Sequence, residues 1–264
     1  MSMGPICDDL LAETADLTRV LARLSDGDWR MATPAEGWSI RDTIAHLAFF
    51  DGTATLAATD ADAFAVSTRA IFDRPDPMAA ATETAGARNG AAMLAWFDGE
   101  RSLMVEVFRT LDPKTRIPWY GPAMAATSFA TARLMETWAH GQDVFDALGV
   151  TRLASDRLRH VAHIGVRARP FSYATNKKAM PAGDVRVELQ SPSGGEPWVW
   201  NDGEHEHIVS GSALDFCLVV TQRRNIADTD LAVRGARAED WIPIAQAFAG
   251  VPGGGRRPGQ FPRR

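Results

Sequence analysis

The sequence predicts an α + (α+β) protein: a four-helix bundle over residues 1–150, a small α+β domain over 151–250, and a disordered basic tail over 251–264. Three observations predict it. Before Gly149 the apolar residues recur at helical spacing. After Gly149 a period-two alternation appears in Val185-Arg-Val-Glu-Leu189. From Val251 onward the chain is rich in Pro, Gly and Arg and shows no apolar period.

The first helix is expected over residues 6–24, where Ile6, Leu10, Leu17, Leu21 and Leu24 form one stripe and Asp8, Asp9 and Glu13 favour the N-terminal turns. Ser25 to Gly37 breaks that period. The second helix begins at Ser39, because Ser39-Ile-Arg-Asp42 has the form of a capping box. Ile40, Ile44 and Leu47 form its apolar face, with His46 on another. Thr55 to Pro77 is expected to hold the end of this helix and a long crossover. A third helix is expected from Gly86 to Leu111, stopped by Asp112-Pro113. Pro122 suits the first position of a fourth helix, which ends near Gly149.

Beyond Gly149, Ser155 to Arg169 reads as a helix closed by Pro170-Phe-Ser-Tyr173. Val185–Leu189 and Trp198–Trp200 form a hairpin across Ser191-Pro-Ser-Gly-Gly195, with a further strand at His207–Val209. Ser212 caps a helix that ends at Arg223-Arg224-Asn225. Leu231–Arg234 is expected as a last strand and Glu239–Phe248 as a last helix. This is a small α+β unit.

Composition narrows the function classes. No apolar run approaches a membrane span, and the N-terminus lacks the pattern of a signal peptide. Two cysteines, Cys7 and Cys217, make no disulfide framework and fit a reducing cytoplasm. Net charge is −5; setting aside Arg256, Arg257, Arg263 and Arg264 leaves 24 basic against 33 acidic groups, or −9. Such an acidic body matches neither a nucleic-acid nor a membrane surface.

Candidate chemistry concentrates in Arg133-Leu-Met-Glu-Thr-Trp-Ala-His-Gly-Gln-Asp143. At helical pitch Glu136 and His140 lie one turn apart on one face, with Arg133 and Asp143 near them. A carboxylate and an imidazole so placed can share a divalent ion if a third ligand arrives from elsewhere. The plain alternative is the wet face of an amphipathic helix. His160/His163 and His205/His207 are further histidine pairs. Arginines crowd the first and acids surround the second, and both read as solvated surface.

Trp38-Ser-Ile-Arg-Asp-Thr-Ile-Ala-His46-Leu-Ala-Phe-Phe-Asp51, followed by Glu136-x-x-x-His140, resembles the metal-binding domain of mycothiol-dependent maleylpyruvate isomerases, within the DinB-like superfamily of four-helix bundles. The resemblance spans about residues 5–150. It implies metal ligands at His46, Glu136 and His140, with zinc the first candidate and nickel or iron(II) the others. Arg169-Pro-Phe-Ser-Tyr173 and Ser212 to Arg224 resemble an actinobacterial branch described only as metal-binding. Some of that branch are labelled with wyosine formation in tRNA, which the acidic body and lack of a cysteine cluster argue against.

The implied activity is a metal-dependent isomerase or transferase that presents a low-molecular-weight thiol such as mycothiol to a small electrophile. Asp143 or Asp42 would orient a ligand histidine. Arg133 would hold an anionic group. Arg223 and Arg224 would reach toward the thiol cofactor. A homodimer is compatible with a bundle of this kind. The rival reading is a non-catalytic, metal-stabilised module that binds a small ligand or a protein.

Overall fold

The computed structural model describes residues 2–74, 76, 79–203, 206–250 and 252–261. The chain divides into two compact units, Met1–Thr151 and Arg152–Arg264. It is mostly helical, with one small mixed sheet, and among the described residues no helix is long and apolar enough to cross a membrane.

In the first unit the long helices are α1 (Gly4–Leu21), α2 (Ile40–Thr59), α5 (Gly90–Thr110) and α6 (Ala126–Ala147). α3 (Ala61–Phe72) occupies the stretch expected as a crossover, and α4 (Ala79–Ala85) follows it. Asp60 explains why that stretch is helical: it closes α2, and its carboxylate then accepts from Ala63 N at 2.9 Å to cap α3. The fourth long helix also starts later than Pro122 suggests. Strands β1 (Arg116–Ile117) and β2 (Met124–Ala125) pair antiparallel first, and Ala126 N donates to Thr115 O at 2.9 Å. α2 packs on α5 and α6, and α1 packs on α6 and α5. Leu17, Ile44, Leu47, Phe97, Val144 and Phe145 meet in the core, one or more from each long helix.

A buried polar network crosses that core. Asp51 on α2 is fully buried and accepts from Arg101 Nε of α5 at 2.8 Å and Arg133 Nε of α6 at 3.0 Å. Arg101 also donates to Thr14 of α1 and, at 3.0 Å, to Thr137 of α6. Arg133 Nη2 reaches the Leu47 carbonyl at 3.3 Å. All four long helices therefore share one hydrogen-bonded set.

The second unit contains α7 (Leu158–Arg167), α8 (Arg169–Thr175), α9 (Ala213–Val220) and α10 (Ala236–Trp241). Its sheet has the order β4-β3-β5-β6, with β3 (Arg186–Gln190), β4 (Trp198–Trp200), β5 (Ile208–Ser212) and β6 (Ala232–Arg234). The expected hairpin pairs Val187 with Trp200 and Leu189 with Trp198, while β3 and β5 run parallel. Ser212 caps α9 as expected, its hydroxyl accepting from Asp215 N at 3.1 Å.

Three expectations change here. Pro170 opens α8 instead of closing a helix, since a proline in the first turn lacks only an amide that has no helical partner. The last helix spans Ala236–Trp241 and gives way to a 3₁₀ turn, Ile242–Ile244, at Pro243, not a helix to Phe248. The tail expected to be disordered has defined contacts: Asn225 Nδ2 donates to Arg256 O at 2.9 Å, and Gly259 N donates to Asp228 Oδ1 at 2.8 Å.

Asp51→Asn should destabilise the protein by ~3–5 kcal/mol, because it leaves two buried guanidiniums without a carboxylate. Urea unfolding measures this, and a loss below ~1 kcal/mol would show that the network is not a structural tie.

Candidate metal centre

The site begins with the capping box at the start of α2. Asp42 accepts from Ser39 N at 3.0 Å and Ser39 Oγ at 2.6 Å, while Ser39 Oγ accepts from Asp42 N at 3.2 Å. This occupies Asp42, so it is a cap and not a partner of a histidine. The preceding residue, Trp38, is fixed through its carbonyl, which accepts from Thr33 N at 2.8 Å and Thr33 Oγ1 at 3.0 Å. Its ring stacks on His140 at 5.7 Å and tilts against His46 at 5.2 Å. Phe50, one turn after His46, closes the far side at 4.6 Å.

Across from His46, α6 presents Glu136 and His140 one turn apart. Glu136 Oε2 lies 3.5 Å from His46 Nε2 and 3.2 Å from His140 Nε2. The three ligand atoms fall within 4.8 Å of one another, a separation that one divalent ion can span. The side chains are 12%, 14% and 23% exposed for His46, His140 and Glu136, so the site is reachable yet mostly dry.

The electrostatics suit a cation. Burial, with help from His140 and Arg133, pushes the His46 pKa down to about 4 against the pull of Glu136. The imidazole is therefore neutral, as a ligand must be. Burial alone would raise Glu136, but its hydrogen bonds to His140 and His46 and their charge hold it well below the usual carboxylate range.

The other expected site residues fall elsewhere. Arg133, expected to hold an anionic group, lies in the interior, 3% exposed and committed to the Asp51 carboxylate. Asp143 is also fully buried, with Oδ2 3.8 Å from His140 Nδ1, beyond hydrogen-bond length. Nδ1 of both His46 and His140 is buried without a hydrogen-bond partner. Arg223 and Arg224 follow α9 in the second unit, donating to the carbonyls of Thr221 at 2.7 Å and Arg223 at 2.6 Å. His163 Nδ1 accepts from Trp200 Nε1 at 3.2 Å. His205 and Glu204 lie outside the described residues, among which His46, Glu136 and His140 are the one metal-type cluster.

Sequence reasoning missed Arg101 and the role of Asp51. A signal existed: Arg101 is spaced i+4 from Phe97 and i−3 from Met104, and Asp51 i+4 from Leu47, so each interrupts an apolar stripe.

A family model described as the mycothiol maleylpyruvate isomerase N-terminal domain matches residues 10–145. The chain belongs to this family. Two uncharacterized proteins from strains of Mycobacterium tuberculosis are each 44% identical over 255 residues, covering 96% of this chain and 98% of the relative. The crystal structure of mycothiol-dependent maleylpyruvate isomerase and that of a histidine-to-alanine mutant share the fold, with TM-scores of 0.56 and 0.58. Each is 15% identical and covers 85% of this chain and 90% of its own.

Acidification should destabilise the metal-stripped protein. The depressed His46 pKa means that its stabilising contribution is complete above the unfolded value of 6.5 and is lost as pH falls toward about 4. Melting temperature measured on stripped protein should drop across that window, and His46→Gln should flatten the drop. An unchanged slope in the variant would contradict this assignment.

Proposed function

We propose that this protein is a divalent-metal-dependent enzyme that uses a low-molecular-weight thiol, such as mycothiol, to isomerise or derivatise a small electrophile. The observation that carries the reading is the convergence of His46 Nε2, Glu136 Oε2 and His140 Nε2. Membership of the family supports the thiol. The helix contacts of α1, α2, α5 and α6 support a DinB-like four-helix bundle as the frame.

Zinc is the first choice for two imidazoles and one carboxylate, ahead of nickel and iron(II). Bound there, the ion supplies Lewis acidity that lowers the pKa of a thiol. The chain does the rest. His46 stays neutral because it is buried, and Glu136 stays ionised between two imidazoles. Asp143 would accept a hydrogen bond from His140 Nδ1–H once their 3.8 Å separation closes, and so fix the ring's tautomer. Arg133 acts through Asp51, holding α6 in place one turn before Glu136, and touches no substrate. Arg223 and Arg224 each donate to a carbonyl of their own turn. Three protein ligands, not four, favour a catalytic over a structural ion.

Protein purified without added metal should carry about one equivalent of a divalent metal, lost in His140→Ala. Asp143→Asn should weaken zinc affinity by ~10–100-fold with the fold intact. Elemental analysis and competition with a chromogenic chelator read these. Metal-free wild type that also fails to reload would contradict the proposal.

A further inference from the structure

The aromatic rings beside the triad are not part of the sealed core. Phe97, Phe108 and Phe129 are fully buried, but Trp38, Phe50, Trp119 and Tyr120 are half-exposed and Phe72 is 57% exposed. They form one continuous wall. Phe50 leans on His46 at 4.6 Å, and Tyr120 on Phe50 at 5.6 Å. Phe72 follows on Tyr120 at 6.0 Å, at the solvent end. Trp119 spans from Phe50 of α2, at 6.0 Å, to Phe129 of α6, at 4.6 Å.

Within this wall the Tyr120 hydroxyl is buried and no acceptor takes its proton, while the Thr53 hydroxyl acts on its oxygen. Leaving such a group unpaired costs ~1–3 kcal/mol, a cost that a ligand acceptor would remove. Burial raises the Tyr120 pKa, with the Thr53 hydroxyl opposing, so the group remains a proton donor at neutral pH. The guanidiniums of Arg101 and Arg133 in the same bundle are buried on Asp51. The cation–ring contacts of Arg88 on Trp96 and Arg101 on Phe97 lie elsewhere. A carboxylate would be desolvated against the negative faces of these rings.

Resting on the metal–thiol reading above, we infer that the electrophile is a neutral, planar small molecule with an oxygen acceptor, held on the Phe50–Trp119–Tyr120 wall with the Tyr120 hydroxyl donating to that oxygen. Tyr120 is thus a substrate-contacting residue that sets specificity. This class differs from the dicarboxylate in the name of the structural relatives.

Binding to metal-stripped protein tests the inference, because no ion is then present to capture a carboxylate. The probes are acetophenone, ethylbenzene and maleate, read by quenching of tryptophan fluorescence. Acetophenone should bind saturably, and maleate should not displace it. Tyr120→Phe should weaken acetophenone about tenfold and leave ethylbenzene unchanged. Trp119→Leu should weaken both, and the isosteric Tyr120→Phe keeps the test valid if that variant misfolds. Displacement by maleate at comparable concentration, or an equal effect of Tyr120→Phe on both neutral probes, would overturn it. Protein that takes up metal but fails here contradicts this inference alone. Protein that passes here but takes up no metal contradicts the metal reading alone.

Discussion

A single buried carboxylate, Asp51, ties together the part of the molecule that does chemistry. It accepts two guanidiniums that arrive from α5 and α6, and Arg101 extends the tie to Thr14 of α1. Three ionised groups out of water are expensive unless hydrogen bonds satisfy them, and replacing such a set by apolar residues is often neutral or stabilising. Stability alone is thus a poor reason for it. Geometry is a better one. A guanidinium has donors in fixed directions, so only one axial and rotational setting of α2, α5 and α6 satisfies the set.

That setting places the site. His46 lies five residues before Asp51 on α2, and Glu136 three residues after Arg133 on α6. Both ligand-bearing helices are therefore locked within about one turn of the positions where the ligands meet. The capping box fixes where α2 begins and hence where Trp38 enters against the two imidazoles. Dry surroundings then hold His46 neutral while Glu136 keeps its charge. A rigid frame, a neutral His46 and an ionised Glu136 together favour a cation.

Much of this was legible in the sequence, and the parts that were not have physical causes. Ser39-x-x-Asp42, Ser212 and Gly149 act locally, so their effects are readable without a fold. The spacing of Glu136 and His140 is set by helical pitch, and the third ligand came from resemblance, since nothing local joins His46 to α6. Arg133 was read as holding an anionic group because nothing local shows that its partner is a carboxylate on another helix. Thr55 to Pro77 was obscure because a single capping residue, Asp60, divides α2 from α3 inside a nearly continuous helical stretch. Tyr120 was invisible as a site residue because its ring neighbours come from two other helices, α2 and α3.

The central claim is that His46, Glu136 and His140 hold one divalent ion and leave positions open for a thiol. X-ray absorption of the zinc-loaded protein, before and after addition of mycothiol, tests it most directly. The account predicts a first shell of nitrogen and oxygen with two imidazoles, and a new sulfur scatterer once the thiol is added. A closed shell of four protein ligands that the thiol leaves unchanged would contradict it.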